Sequence, residues 1–121
     1  MTTESMSVSS MKACIDACLD CYKECLGTAM MHCLEEGGLH VEPKHFRLMA
    51  ACAEGCRAAA NLMLIGSPYY VQACATCEEL CRECAASCDA IGGAEMQECA
   101  DICETCAAMC AEMAGSVQLV A

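Results

Sequence analysis

The cysteines of this 121-residue chain recur at a helical spacing. In three stretches, each cysteine follows the previous one by three or four residues. The rows are Cys14, Cys18, Cys21 and Cys25; Cys74, Cys77, Cys81, Cys84 and Cys88; and Cys99, Cys103, Cys106 and Cys110. Because an α-helix turns about 100° per residue, this spacing keeps each row on one helix face. The pattern predicts helices that turn their thiols toward a shared interior.

The other three cysteines are less regular. Cys52 and Cys56 are four residues apart and predict a shorter row on another helix. Cys33 follows Cys25 by eight residues, so it lies about 80° around an ideal helix, at the edge of the first row. Fifteen of the sixteen thiols can therefore be assigned to single helix faces.

Glycine and proline divide the chain into four helical segments. The expected stops are Gly37 with Gly38, Gly66, and Gly92 with Gly93, and the expected starts are Pro43 and Ser67 with Pro68. The helices should cover roughly 10–36, 43–65, 68–91 and 94–115 of a single domain, 1–121. Short connections favour antiparallel neighbours. We therefore predict an all-α fold, an antiparallel up-down four-helix bundle with a cysteine-lined core.

Composition and charge exclude several classes of function. The net charge is -11 with only six Lys and Arg, which argues against a nucleic-acid partner. The N-terminal sequence MTTESMSVSS lacks the apolar run of a secretory signal, and we expect no stretch of transmembrane length. The expectation is a cytosolic protein with reduced thiols and no membrane partner. No nucleophile, base and orienting group can be assembled, so we do not expect an enzyme.

Packing, disulfides and metal binding are three explanations of the rows. A core chosen for packing alone would use Leu, Ile or Val at most of these positions. Disulfides within a helix fit poorly, because Cβ atoms three or four residues apart are about 5 to 6 Å apart and a disulfide needs about 3.5 to 4.5 Å. Bridges between helices remain possible on oxidation. Metal binding is favoured, and thiolates prefer Cu(I), Zn(II) and iron–sulfur clusters.

Row geometry and charge favour Cu(I), with several ions per chain. A zinc site or a cluster needs four converging sulfurs, whereas a straight row offers successive pairs, which suffice for Cu(I). Neutralising sixteen buried thiolates would take roughly one monovalent ion for each. The predicted function is storage of copper on all sixteen cysteines. A zinc or cadmium buffer of metallothionein type is the alternative, and a thiol redox protein is a weaker one because no βαβ pattern surrounds the C-x-x-C pairs.

Methionine and histidine continue the cysteine rows. The additional candidate ligands are His32, His45, Met49, Met63, Met96 and Met113. Antiparallel order should gather Met11, Met63 and Met113 at one mouth with Tyr70, and His32, Cys33, His45 and Met96 at the other. Core filling is the competing interpretation of the methionines. We expect His40 to be solvated in a linker.

The first predicted helix carries a second apolar row beside its thiols. The row consists of Ile15, Leu19, Tyr22 and Leu26. A helix with two apolar faces can pack against a second subunit as well as its own bundle. We therefore expect a homo-oligomer.

Four segments resemble the bacterial cysteine-rich copper storage proteins, in particular their cytosolic branch. The segments are ACIDACLDCYKEC, HFRLMAACAEGC, ACATCEELCRECAASC and ECADICETCAAMC. The resemblance implies a four-helix bundle, usually a homotetramer, that holds Cu(I) along its core through cysteine pairs, with His or Met near the open end. The sequence departs from the pattern at His45, where cytosolic members carry a cysteine.

Overall fold

A computed structural model describes the backbone of residues 2–120 and the side chains of residues 10–115. Helix α1 covers Thr2–Thr28, continues through a π-helical turn at Ala29–Cys33 and ends with Leu34–Glu36. A 3₁₀ turn, Gly38–Val41, leads into α2 (Pro43–Ile65), which is followed by α3 (Tyr70–Ile91) and α4 (Ala94–Val120). No strand occurs between residues 2 and 120.

The four helices form a square bundle. Each helix packs against the next one along the chain, and α4 returns to pack against α1. Because the connections are short, neighbouring helices run in opposite directions. The predicted antiparallel up-down four-helix bundle with a cysteine-lined core is confirmed.

Helix α2 has the expected bounds because both of its ends are capped. The Glu42 carboxylate accepts a hydrogen bond from the His45 backbone N–H at 3.1 Å, and Pro43 occupies the first turn. At the other end Gly66 takes a left-handed conformation, with φ of 80°. Its N–H bonds to the Met63 carbonyl at 3.1 Å, and this satisfies an otherwise unpaired helix-end acceptor.

Helix α3 begins at Tyr70, two residues later than expected. The Ser67 hydroxyl accepts a hydrogen bond from the Tyr69 backbone N–H at 3.1 Å, and the Ser67 carbonyl accepts one from the Tyr70 N–H at 3.2 Å. Serine thus stabilises a turn over residues 67–70 in place of a helical first turn. The outer ends of α1 and α4 extend past the expected residues 10 and 115, since no proline interrupts the backbone there.

Helix α2 corrects the expectation about membrane-length segments. It is the one helix of the described chain that is long and apolar enough to cross a membrane, judged by length and composition alone. The core helix of a bundle meets the same two criteria. The buried face of α2 carries Met49, Cys52 and Cys56, so its apolar character is accounted for by the bundle interior.

Candidate metal centre

The bundle interior is made of thiols. All sixteen cysteines are unbridged and fully buried, with 0% of each side chain exposed. Alanine and methionine fill the space between them, as at Ala53, Ala85 and Met96. His45 is the single buried polar residue among the described side chains. The interior therefore offers soft sulfur donors and almost nothing else.

The sulfur atoms of different helices touch one another in the middle of the bundle. Cys81 Sγ lies 3.8 Å from the sulfur of Cys21, and 3.7 Å from those of Cys52 and Cys56. Cys25 and Cys103 are closest, at 3.5 Å. These are contact distances, well beyond a disulfide bond of about 2.05 Å. The thiols are packed at a density that would let one ion reach several sulfurs.

Four sets of four thiols, and one set of three, have all their sulfurs within 4.8 Å of one another. The sets are Cys18, Cys77, Cys106, Cys110; Cys21, Cys25, Cys52, Cys103; Cys21, Cys56, Cys81, Cys106; Cys25, Cys84, Cys99, Cys103; and Cys14, Cys74, Cys110. Spacing within single helices indicated only successive pairs, and that inference was incomplete because each set draws on more than one helix. Members such as Cys21 and Cys25 belong to two sets, so the sets merge into a continuous sulfur network.

Cys33 lies in the core, and the π turn explains why. From Cys25, eight residues of ideal α-helix would carry Cys33 about 80° away from the row. The π turn, closed by a bond from the Leu34 N–H to the Ala29 carbonyl, absorbs one extra residue. This removes about 100° of rotation and leaves Cys33 within about 20° of the row. The predicted position at the row's edge was wrong, and all sixteen thiols share the interior.

We call the end of the bundle that holds Cys33 and the α1–α2 connection the His end. Here Cys33 Sγ lies 3.7 Å from Met49 Sδ. The His45 ring is 4% exposed, and its Nδ1 is 2.7 Å from the Ser87 hydroxyl oxygen. Its Nε2 is buried and has no hydrogen-bond partner among the described residues. The Ser87 hydroxyl thus holds one ring nitrogen and leaves the other free, and a metal-binding histidine likewise has one nitrogen held by a polar group and the other available to the ion.

Two further histidines, His32 and His40, lie at the His end. His32 Nε2 is 3.9 Å from a Glu95 carboxylate oxygen, and the His32 and His40 rings meet edge to face with centroids 5.2 Å apart. His40 was expected to be solvated, but it is half-buried and its Nδ1 has no partner. The sequence signal for His40 was its place in the short segment between His32 and His45. Nothing in the sequence pointed to Ser87 or Glu95.

The opposite end, which we call the Met end, carries thioethers and no imidazole among the described residues. Met63 Sδ lies 3.9 Å from Cys74 Sγ, and Met63 and Met113 are nearly buried. Met11 and Tyr70 are half-buried against the same core. Antiparallel order brings the start of α1, the end of α2, the start of α3 and the end of α4 together here.

Burial favours the neutral forms of the titratable groups at the His end. It raises the pKa of the Cys33 thiol, with additional repulsion from Cys99 and Cys84. It lowers the pKa of His45, and the neighbouring His40 acts in the same direction. Thiols with raised pKa values ionise when a bound metal ion replaces the proton. The interior is therefore suited to exchange protons for metal ions.

Four antiparallel helices surround a continuous network of buried thiols. The protein is therefore a thiol-lined helical bundle. The sequence model of the copper storage protein family matches residues 7–115. The chain belongs to the copper storage protein family.

Solved structures and a curated relative agree with this assignment. The Nmul_A1745 protein of Nitrosospira multiformis is 48% identical with a TM-score of 0.86, over 89% of this chain and 97% of that one. Cu(I)-bound copper storage protein BsCsp3 is 37% identical with a TM-score of 0.80, over 87% and 98%. The cysteine-rich protein YhjQ of Bacillus subtilis, named as uncharacterized, is 38% identical over 89 residues, 74% of this chain and 82% of that one.

Proposed function

We propose that this protein takes up many Cu(I) ions and stores them inside its bundle, with all sixteen cysteines as ligands. The observation that carries the proposal is the continuous sulfur network, in which thiols such as Cys21 and Cys25 belong to two sets at once. Shared sulfurs suit an ion that accepts few ligands and can be bridged to its neighbours. The Cu(I)-bound relative supports the same ion.

Charge distinguishes Cu(I) from Zn(II) in this interior. One Cu(I) that replaces one thiol proton leaves the core neutral. A Zn(II) ion held by four thiolates carries two net negative charges, which are costly to bury without a nearby cation. No Lys or Arg is buried among the described residues, and the only buried polar side chain is His45, whose pKa is lowered by burial. Loading with Cu(I) therefore leaves less uncompensated charge in the interior than loading with Zn(II).

The histidines and methionines are proposed as weaker ligands at the two ends of the network. They are His32, His45, Met49, Met63, Met96 and Met113. Neutral imidazole and thioether need no deprotonation to bind, so they suit ions that are arriving or leaving. We propose that copper enters at the His end, where His45 Nε2 has no hydrogen-bond partner among the described residues and where Cys33 Sγ contacts Met49 Sδ.

We further propose that the protein acts in the cytosol and assembles as a homotetramer. Support comes from the family and from the half-buried row of Ile15, Leu19, Tyr22 and Leu26, which packs against the core of its own chain and remains partly accessible. The family indicates storage in place of catalysis. Light scattering of the purified protein would measure the oligomeric state directly.

An anaerobic titration of the fully reduced protein with Cu(I) against a competing chelator tests the function. Elemental analysis of the saturated protein should give roughly one copper per thiolate. Saturation at only one to four ions would exclude storage. The second candidate, a zinc or cadmium buffer, is favoured by the four-thiol sets, and it predicts saturation with Zn(II) at well under half that count.

A second measurement asks whether the fold depends on metal. A TM-score of 0.76 links this chain to apo-Csp3 from Bacillus subtilis as well as to the Cu(I)-bound form. Cysteine and alanine still pack when thiols are neutral, so circular dichroism of the metal-free protein should show a full helical spectrum. An unfolded metal-free chain would favour the metallothionein-like account.

A further inference from the structure

Three potential ligands outside the thiol core lie at the His end and belong to three separate elements. His32 belongs to the π turn, His40 to the 3₁₀ turn Gly38–Val41, and Glu95 to the first turn of α4. None of them contacts a cysteine sulfur by any described hydrogen bond. The cluster is chemically different from the interior, because its donors are nitrogen and oxygen.

The π turn explains why His32 lies outside the thiol core although the next residue, Cys33, lies inside it. It keeps Cys33 on the core face, and His32, one residue earlier, is then rotated by about 100° toward the start of α4. There its Nε2 lies 3.9 Å from the Glu95 carboxylate oxygen. The irregular backbone thus directs a thiol inward and the neighbouring imidazole to the rim.

The two imidazoles are spaced as they would be around a common ion. Two histidines bound to one metal ion at about 2.1 Å and a tetrahedral angle would have ring centroids about 5 Å apart. The observed centroid separation of His32 and His40 is 5.2 Å. The Glu95 side chain is 61% exposed, so it can rotate the remaining distance toward His32 at little cost. The three donor atoms do not all lie within 4.8 Å of one another in this structure, so closing the set also requires the 3₁₀ turn to move.

One nitrogen of this cluster lacks a partner. His40 Nδ1 is inaccessible to solvent and makes no hydrogen bond among the described residues. Burying an unpaired imidazole nitrogen is unfavourable, and such groups call for a specific explanation. A bound ion would supply the missing partner.

We propose that His32, His40 and Glu95 bind one divalent transition-metal ion of the Zn(II) class, outside the copper-storing interior. Two imidazoles and a carboxylate are a donor set that suits borderline divalent ions and lacks the sulfur that Cu(I) prefers. The ion links the end of α1, the 3₁₀ turn and the start of α4, so it holds the connection in place across the His end. While this ion is bound, His32 is one of its ligands and is not available to Cu(I), so His45 is then the imidazole of the copper route.

Co(II) is the probe for this site, because its spectrum reports on its ligands. Protein without an affinity tag is first saturated with Cu(I), so that the thiols are occupied, and is then titrated anaerobically with Co(II). We expect one Co(II) per chain, visible d–d absorption, and no near-ultraviolet band from sulfur-to-cobalt charge transfer. Binding of Zn(II) should displace the cobalt and abolish the spectrum.

Single substitutions assign the ligands. His40→Gln and His32→Gln should each weaken Co(II) binding at least about tenfold, and Glu95→Gln several-fold. Glu98→Gln is the matched control, since it removes the same charge from the same exposed side of α4 three residues further on. Equal affinity in wild type and His40→Gln, or cobalt lost in His45→Gln and retained in His40→Gln, would overturn the proposal.

The metal site at the rim and the storage function can be refuted independently of each other. Copper is counted before cobalt is added, and His40→Gln should load as much Cu(I) as wild type. The cobalt titration is repeated on metal-free protein. There, cobalt bound to thiols gives a sulfur-to-cobalt charge-transfer band, whereas cobalt bound to His32, His40 and Glu95 gives d–d absorption without that band. If the protein loads copper but neither the Cu(I)-saturated nor the metal-free sample shows d–d absorption from cobalt bound without sulfur, only the rim site is refuted.

Discussion

The two ends of the bundle have the same sulfur chemistry and different backbones. Each end has one cysteine in contact with one methionine of α2, Cys33 with Met49 at 3.7 Å and Cys74 with Met63 at 3.9 Å. The His end adds three imidazoles, a π turn and a 3₁₀ turn, whereas the turn over residues 67–70 connects α2 to α3 at the Met end. Soft ligands therefore do not distinguish the ends, but nitrogen donors and irregular backbone do.

Irregular backbone has an energetic consequence. Segments with few buried apolar contacts open locally at a lower free energy than the helices they connect. Around the α1–α2 connection Met31, Leu34 and Leu39 are largely exposed, and around the α2–α3 connection Leu64, Ile65 and Tyr69 are exposed to a similar extent, so apolar burial does not distinguish the two ends. Among the described residues the π turn and the 3₁₀ turn occur only at the His end, and from this irregular backbone we infer that the His end opens more easily, which is the physical reason to expect copper exchange there.

The largest expected effect comes from two single-residue deletions in α1. Deletion of exposed Lys23 should rotate the thiols before it by about 100° relative to those after it and remove most of the stability, of order 5 kcal/mol. Deletion of Met30 should convert the π turn to α-helix and keep Cys33 in phase, at a cost of about 1 kcal/mol or less. Urea unfolding of the reduced, metal-free proteins measures both. Equal losses would contradict the account of the π turn.

Copper uptake should differ strongly between the ends. The double variant His45→Gln with Met49→Leu removes nitrogen and thioether donors at the His end, and we expect uptake to slow at least about tenfold. Met63→Leu with Met113→Leu is the matched pair at the Met end and should change the rate less than about twofold. Leucine and methionine have similar volumes, so both variants should fold. Stopped-flow mixing with a Cu(I)–chelator complex gives the rates, and slower uptake in the Met-end pair would reverse the assignment.

Copper capacity should depend on where in the network a thiol is removed. Cys81→Ser takes out a sulfur that touches those of Cys21, Cys52 and Cys56, so we expect a loss of about two ions per chain. Cys33→Ser removes a terminal sulfur and should lose about one ion at most. Elemental analysis at saturation measures the difference. Identical losses would mean that the sulfurs act as isolated sites.

The smallest expected effect is on the pH dependence of stability in the metal-free protein. Because burial lowers the pKa of His45, the unfolded chain binds this proton more tightly than the folded chain. The contribution is present above the ordinary histidine pKa of about 6.5 and is lost as the pH falls below it. Urea unfolding between pH 7.5 and 5 should show a shallower decline for His45→Gln than for wild type. Parallel declines would show that His45 does not titrate as a buried group.

The regular part of the site was readable because helical periodicity is a local property. The three- and four-residue steps from Cys14 to Cys25 predict one face without any knowledge of neighbouring helices, and this face is buried as expected. The signals at Pro43 and Gly66 are local too, so the bounds of α2 were predicted. Local rules failed at Ser67, where a side-chain hydrogen bond delays the start of α3.

The irregular part was not readable, because its causes lie elsewhere in the chain. Nothing in Ala29–Cys33 indicates a π turn, which keeps both Cys25 and Cys33 in the same interior. His40 is held by contact with His32 from another element, and Ser87 comes to His45 from α3. Such partners are far apart in sequence and have no common period.

By itself, the sequence determined that this protein is a helical bundle with a thiol interior, because the spacing of its cysteines fixes the face on which each one lies. Only the tertiary structure decided how those faces meet. Packing four helices around one axis turns predicted pairs into shared sets of four sulfurs. Closing the α1–α2 connection over one end then makes that end chemically different from the other, through contacts between residues that the spacing does not relate.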